Sequence, residues 1–330
     1  MPSASAIRSF ATPRTDLGRL AGLLACPDDG AQLTTVAPEL ACEKCDRRFG
    51  AAEDGVMDLR PLEPASIAEE RNADYWREYA QEFAREYRPN PKAVAWGAPE
   101  ISSSAWLGKR LRQVRAMRSL VADSKFSRSQ VFCDIAAGAG HYTLAYAPAF
   151  QSVLHCDISV ENLGYAVRKA AQLGIRNIFF LRIDYFSPPF RHSLDRIICC
   201  DTLIRGEKHE GVLLKAIRRS LKPEGNAVVD FHHWWHNPLR RLGLLSQNFG
   251  GNRSYRRREA EKLLQAAGAT EFEYFPFHQE YSPGWRGEPA ISRLIPPTRL
   301  VYRFRGDASG KNGAKSLVTS RREDCHVAEL

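Results

Sequence analysis

The chain has 330 residues, 44% of them hydrophobic and 26% charged, which is ordinary globular composition with room for one large domain and a small one. Forty-seven Lys and Arg against 38 Asp and Glu give a net charge of +9, which admits an anionic partner but is spread along the whole chain. No apolar run approaches the roughly 20 residues that cross a bilayer, so a transmembrane protein is excluded on this reading. Residues 1–17 lack the apolar core of a signal peptide and read as a loose leader, and a soluble, cytoplasmic protein is the expectation. The eight cysteines fit that compartment: Cys133, Cys156, Cys199 and Cys200 lie inside apolar runs, as small core residues and not as a disulfide framework.

Residues 18–62 change character. Two short apolar segments are each joined to a cysteine-bearing turn, Cys26-Pro-Asp-Asp29 and Cys42-Glu-Lys-Cys45. The spacing resembles the zinc-ribbon module found ahead of some methyltransferase domains and in a small activator protein of methyltransferases. Asp29 stands where a ribbon has its second cysteine, and a carboxylate is an acceptable though less usual zinc ligand. The resemblance therefore implies a structural zinc site of Cys26, Asp29, Cys42 and Cys45. The alternative is a fold that persists on its core alone, with Cys42 and Cys45 as a free pair.

Residues 63–124 read as a helical cap on the substrate side. Tyr75, Trp76, Tyr79, Phe83 and Tyr87 recur at near-helical spacing among charges, as an aromatic core stripe or a cover over a pocket. After a Pro- and Gly-bearing loop, Lys109, Arg110, Arg112, Arg115 and Arg118 give a basic helix, read as a solvated face or as a contact for anions.

Residues 125–305 carry the densest signal. The run VFCDI closes on Asp134 and turns through Ala136, Gly138 and Gly140, small residues that let backbone N–H groups approach a ligand. SVLHCDIS then ends on Asp157, IFFLRIDYF carries Asp184 and Tyr185, and LDRIICCDTLI carries Asp201, with helix-like segments between. Acids at the carboxyl ends of successive strands mark the ligand crevice of an open α/β sheet. The segment LLKAIRRSLKPEGNAVVDF follows as helix, Lys-Pro-x-Gly turn and fifth strand; a helix from Arg257, then TEFEYFPF and TRLVYRFR, complete the order.

This pattern resembles the class I S-adenosylmethionine (SAM) methyltransferases. The resemblance implies an α/β, Rossmann-like sheet of seven strands with the last one antiparallel. It also implies SAM held by Asp134, Ala136, Gly138, Gly140, Asp157, Asp184, Tyr185 and Asp201, with Asp157 on the ribose and Asp184 on the adenine. Ala136 departs from the family loop D-x-G-x-G-x-G. The competing reading is a Rossmann-like dinucleotide-binding domain.

Methyl transfer from a sulfonium needs alignment above all, so no obligatory catalytic residue is legible. A hydroxyl acceptor benefits from a base, for which His232 and His233 after the fifth strand are the candidates, ahead of His236, His209 and His141. Packing beside Trp234 and Trp235 is the plainer role for these histidines, and a three-histidine metal site lacks sequence context. The expected acceptor is a small or lipid-like molecule, with 232–253 as the specificity lid. The alternatives are an RNA base methyltransferase, favoured by charge but lacking an N-P-P-Y or D-P-P-Y motif at Asp201, and a non-catalytic partner protein. Arg253, Arg256, Arg257 and Arg258 form a second basic cluster, and residues 306–330 read as a disordered tail.

Overall fold

A computed structural model describes residues 17–52, 55–62, 104–122, 127–204, 207–236, 242, 244, 253–278 and 297–306. The leader, the aromatic stripe from Tyr75 to Tyr87, most of the 232–253 connection and the tail beyond Gly306 lie outside these residues.

The strands that carry the sequence signal are apolar throughout because they are covered on both faces, as parallel strands must be. Strands β5 (Val131–Ile135) and β6 (Ser152–Asp157) are buried at every position, and β7 (Ile178–Arg182) at all but its last. With β8 (Leu194–Leu203), β9 (Leu221–His232), β10 (Phe272–Phe277) and β11 (Arg299–Arg305) they form the main sheet, in which β11 runs antiparallel to both of its neighbours, β9 and β10. Alternation along each strand divides the core. Cys133, Ile135, Leu154 and Cys156 face helices α1 (Leu17–Leu23), α5 (Glu207–Ser220) and α6 (Arg257–Ala266), while Phe132 and Val153 face α2 (Ser104–Val121), α3 (His141–Tyr146) and α4 (Val160–Gln172).

Among the described residues the sheet has eight strands, not the seven expected, in the order β10-β11-β9-β8-β5-β6-β7 and then Val56–Asp58 at the edge. The added strand, β4 (Val56–Asp58), comes from the N-terminal segment and pairs parallel with β7, matching Val56 to Phe180 and Asp58 to Arg182. Physically, β4 closes an edge that would otherwise expose a row of backbone N–H and C=O groups. Three residues are too few to show a period, which is why the sequence pattern does not reveal them.

Ahead of β4, strands β1 (Leu33–Val36), β2 (Glu39–Cys42) and β3 (Arg48–Phe49) make a small antiparallel sheet. It is continuous with the larger core: Leu20, Leu24, Leu33, Leu40 and Phe49 share one buried cluster with Leu181 and Leu194. The backbone is tied down as well, since Ala25 N–H donates to the Pro189 carbonyl at 2.9 Å and the Ser193 hydroxyl to the Leu23 carbonyl at 2.8 Å. The Lys-Pro-x-Gly turn lies within β9, where the ladder passes from Leu194–Leu221 to Arg196–Asn226 and leaves Lys222–Gly225 looped out. Gly225 is required there, because a Cβ would stand 2.7 Å from the Leu194 carbonyl oxygen.

Candidate functional site

Parallel strands share a polarity, so Asp134, Asp157, Asp184, Asp201 and His232, each at or just past the carboxyl end of its strand, are brought to one edge of the sheet. Antiparallel β11 brings Arg299, at its start, to the same edge. Chain order reverses between β5 and β8, and the crevice beside that reversal is where ligands of open α/β sheets lie.

The glycine loop adopts the backbone its composition requires. Gly138 and Gly140 have φ of 55° and 83°, and Ala136 has φ of 57° although it carries a side chain. Ala136 therefore takes up the left-handed conformation that glycine adopts without steric cost. A Cβ on Gly140 would press on His155 and Ala166 at 3.3 and 3.4 Å, whereas one on Gly138 would meet nothing within 4 Å among the described residues. The backbone at Gly138 thus borders open space. Helix α3 after it has only six residues, so individual N–H groups count for more here than a helix dipole.

Asp134 is 1% exposed and faces inward. Its Oδ2 accepts from the Thr143 N–H at 3.0 Å and the Thr143 hydroxyl at 2.7 Å, and that hydroxyl lies 2.9 Å from His155 Nδ1. The single hydroxyl proton goes to the carboxylate, so the imidazole donates from Nδ1 and leaves Nε2 without a hydrogen bond among the described residues. Burial pushes the His155 pKa down to about 3, with the Gly138 backbone offsetting only part of this. The imidazole is neutral and structural, and Asp134 fixes the start of α3.

Asp157 supports the loop directly, accepting from Gly138 N–H at 2.6 Å and Ser159 N–H at 2.8 Å. Burial holds its carboxyl above the ordinary carboxylate range, against the lowering effect of those N–H groups. Asp184 accepts from Phe186 N–H at 2.9 Å through Oδ1, while its buried Oδ2 has no hydrogen-bond partner among the described residues. An unpartnered buried carboxylate oxygen is costly and calls for a donor. Tyr185 packs on Phe186 with ring centroids 4.4 Å apart, and Phe186 in turn lies near His209, so aromatic surface borders the acid.

Asp201 is set apart from these three. Its φ is 62°, a strained value for a residue with a side chain, and its carboxylate pairs with Arg299 Nη2 at 2.5 Å and lies 3.7 Å from His232 Nε2. Asp230, 1% exposed, accepts from Asp201 N–H at 2.7 Å and Gln113 Nε2 at 3.3 Å, with Arg299 Nη1 at 3.6 Å. Arg299, Asp230 and Gln113 were not among the sequence candidates. Asp230 was discoverable as the one charge in the apolar run AVVDF. The two leading histidines differ: His233 is buried and donates from Nδ1 to the Pro297 carbonyl at 2.9 Å, whereas His232 is half-buried and faces Asp201.

In the N-terminal segment, the ligand atoms of Cys26, Asp29, Cys42 and Cys45 all lie within 4.8 Å of one another. The Cys26 and Cys45 sulfurs are 3.7 Å apart, close to the roughly 3.8 Å edge of a tetrahedron with 2.3 Å Zn–S bonds. The Lys44 and Cys45 N–H groups donate to Cys42 Sγ at 3.4 Å each, and both Asp29 oxygens are 3.5 Å from it.

Residues 132–225 match the family model described as a methyltransferase domain. Over 106 residues the chain is 28% identical to the uncharacterized methyltransferase YcgJ of Bacillus subtilis strain 168, covering 32% of this chain and 42% of that protein, so the chain spans less than half the length of the curated relative it matches. Among solved structures, magnesium protoporphyrin IX methyltransferase (ChlM) from Synechocystis PCC 6803 with bound S-adenosylhomocysteine (SAH) is similar at a TM-score of 0.50 and 16% identity, over 72% of this chain and 99% of that one. Geranyl diphosphate C-methyltransferase from Streptomyces coelicolor A3(2) superposes at 0.49 with 16% identity, over 73% and 98%. Residues 132–225 thus match a methyltransferase domain, and they lie within an α/β fold with a mixed sheet. Among the described residues, no helix is long and apolar enough to cross a membrane.

Proposed function

We propose that the protein is a SAM-dependent methyltransferase acting on a small or lipid-like acceptor. The buried, unpartnered Oδ2 of Asp184 carries the reading, because a purine amino group is a donor of the kind that oxygen lacks. Beside it, the Gly138 backbone borders open space, and the Asp157 carboxylate holds that backbone in place while keeping lone pairs for ribose hydroxyls. Asp134 and Ala136 shape the same loop. When bound, SAM supplies a methyl group on a sulfonium leaving group, and the protein's part is to hold acceptor and donor in line and to exclude water.

The acceptor belongs on the β8–β9 side of the crevice, where Asp201, Arg299 and His232 converge. His232, oriented by Asp201, is the base for an acceptor hydroxyl, and His233 is a packing residue held by Pro297. Cys26, Asp29, Cys42 and Cys45 hold a zinc ion whose role is structural, since four protein ligands leave no open coordination position.

Calorimetry with SAM and SAH tests the first claim. Wild-type protein is expected to bind both. Asp184→Asn, which places an amide where an acceptor is needed, is expected to weaken SAH by about tenfold or more, the worth of a hydrogen bond to a charged group. Equal affinity in that variant would move the adenine elsewhere. Absence of binding to wild-type protein would defeat the enzyme reading altogether. Mass spectrometry of extract incubated with labelled SAM then identifies the acceptor.

A further inference from the structure

A chain of polar contacts that methyl transfer does not use runs from the N-terminal segment to the glycine loop. Asp58, the last residue of β4, grips Arg60 through both carboxylate oxygens at 2.7–3.2 Å and lies 3.4 Å from Arg182 Nη1. Arg182, the last residue of β7, faces Asp157 across the ladder, and its Nε donates to the Ile158 carbonyl at 3.1 Å. Ile158 sits between Asp157 and Ser159, so that carbonyl belongs to the turn that aims the Asp157 carboxylate. Backbone bonds run alongside: Leu59 N–H donates to the Arg182 carbonyl at 2.8 Å, and Ile183 N–H to the Asp157 carbonyl at 3.1 Å. At the far end, Arg47 donates to the Arg60 carbonyl at 2.9 Å and pairs with Asp28 at 2.6 Å, inside the turn that bears Cys26 and Asp29.

We infer that Asp58 and Arg182 are positioning residues for the Asp157 turn, so that the N-terminal segment sets how tightly the protein holds SAM. The inference rests on the SAM reading of the crevice. The Asp157 carboxylate serves Gly138 and Ser159 at once, and a ribose-facing geometry survives only if the peptide between Asp157 and Ser159 is held. Arg182 holds it from behind, and Asp58 holds Arg182. The Asp58 and Arg182 side chains are 43% and 24% exposed, so their pair contributes little to folding. A preorganised site, in contrast, registers directly in affinity.

The test is SAH calorimetry on the full chain, comparing wild type, Asp58→Asn, Arg182→Met and the double variant, with thermal midpoints measured without ligand. Arg182→Met keeps the apolar stem and loses the donor, and is expected to weaken SAH about tenfold, the scale of one charge-assisted hydrogen bond. Asp58→Asn is expected to weaken it about threefold, as for an exposed ion pair. The double variant should bind no more weakly than Arg182→Met, because Asp58 acts only through Arg182; a merely structural role would add. Wild-type affinity in Asp58→Asn, or a full additional loss on introducing it into Arg182→Met, overturns the inference. If Arg182→Met does not fold, Asp58→Asn against wild type decides alone. A wild-type chain that binds no SAH overturns the SAM reading, a different result from unchanged affinity in the variants.

Discussion

Thr143 shows how one hydroxyl can commit a histidine. Because its proton goes to Asp134, His155 must donate from Nδ1, and the ring is kept neutral in a fully buried place. The folded pKa, about 3, lies below the roughly 6.5 of an unfolded histidine. The unfolded chain therefore takes up a proton that the folded chain refuses. Stability from this residue is complete above pH ~6.5 and drains away as pH falls toward the folded value, by up to about 1.4 kcal/mol per unit. Urea midpoints at pH 7.5 and 5.5 should show this decline in wild type and a flatter response in His155→Gln; equal slopes would refute the assignment. Asp134 was legible as an acid ending an apolar run. Its partners were not, because Thr143, 9 positions on, reaches it only through the turn into α3, and His155, 21 positions on, only through the β5–β6 register. Ala136 was legible as a departure from the glycine pattern, but only the backbone shows that it takes the glycine's left-handed conformation.

At the scale of elements, the acids at strand ends were readable because parallel polarity collects every strand's carboxyl end at one edge, whatever the details of packing. Asp157 and Asp184 follow from that rule alone. The pairing of β4 with β7 does not follow, since nothing in Val56–Asp58 encodes a partner more than 100 positions away. That the two cysteine-bearing turns meet was legible only as what the ribbon resemblance implies; the fold brings it about through the β1–β2 hairpin. The zinc proposal belongs to this scale, as metal bound by the folded hairpin alone adds to folding free energy. Purified protein should hold close to one zinc per chain by elemental analysis, and exhaustive chelation should lower its melting temperature. Cys42→Ser should lose the metal, and Asp29→Cys should keep it. A metal-free chain whose melting is indifferent to chelator would remove the site.

For the molecule as a whole, the question is what the +9 charge is for. Several of the cations are already engaged: Arg47 with Asp28, Arg60 with Asp58, Lys222 with Asp195, Arg257 with Glu261, Arg299 with Asp201 and Arg303 with Glu273. Arg256 stacks on Trp234, and Arg257 lies over Tyr274 as well, which joins the second basic cluster to the protein's own surface. A binding face for RNA would need many unengaged cations in one track, and each phosphate contact would release counterions. An RNA acceptor making six to ten such contacts loses on the order of a thousandfold or more in affinity between 50 and 200 mM salt. A small acceptor in a crevice lined by Asp201, His232 and Arg299 should change KM by no more than about twofold over that range, because short-range contacts inside a protein are weakly screened. Once labelled SAM has identified a product, KM for its acceptor measured across that salt range decides between the two. A steep log-log decline would return the charge to a nucleic-acid role; a flat line would leave it as a solvated surface around a small-molecule site.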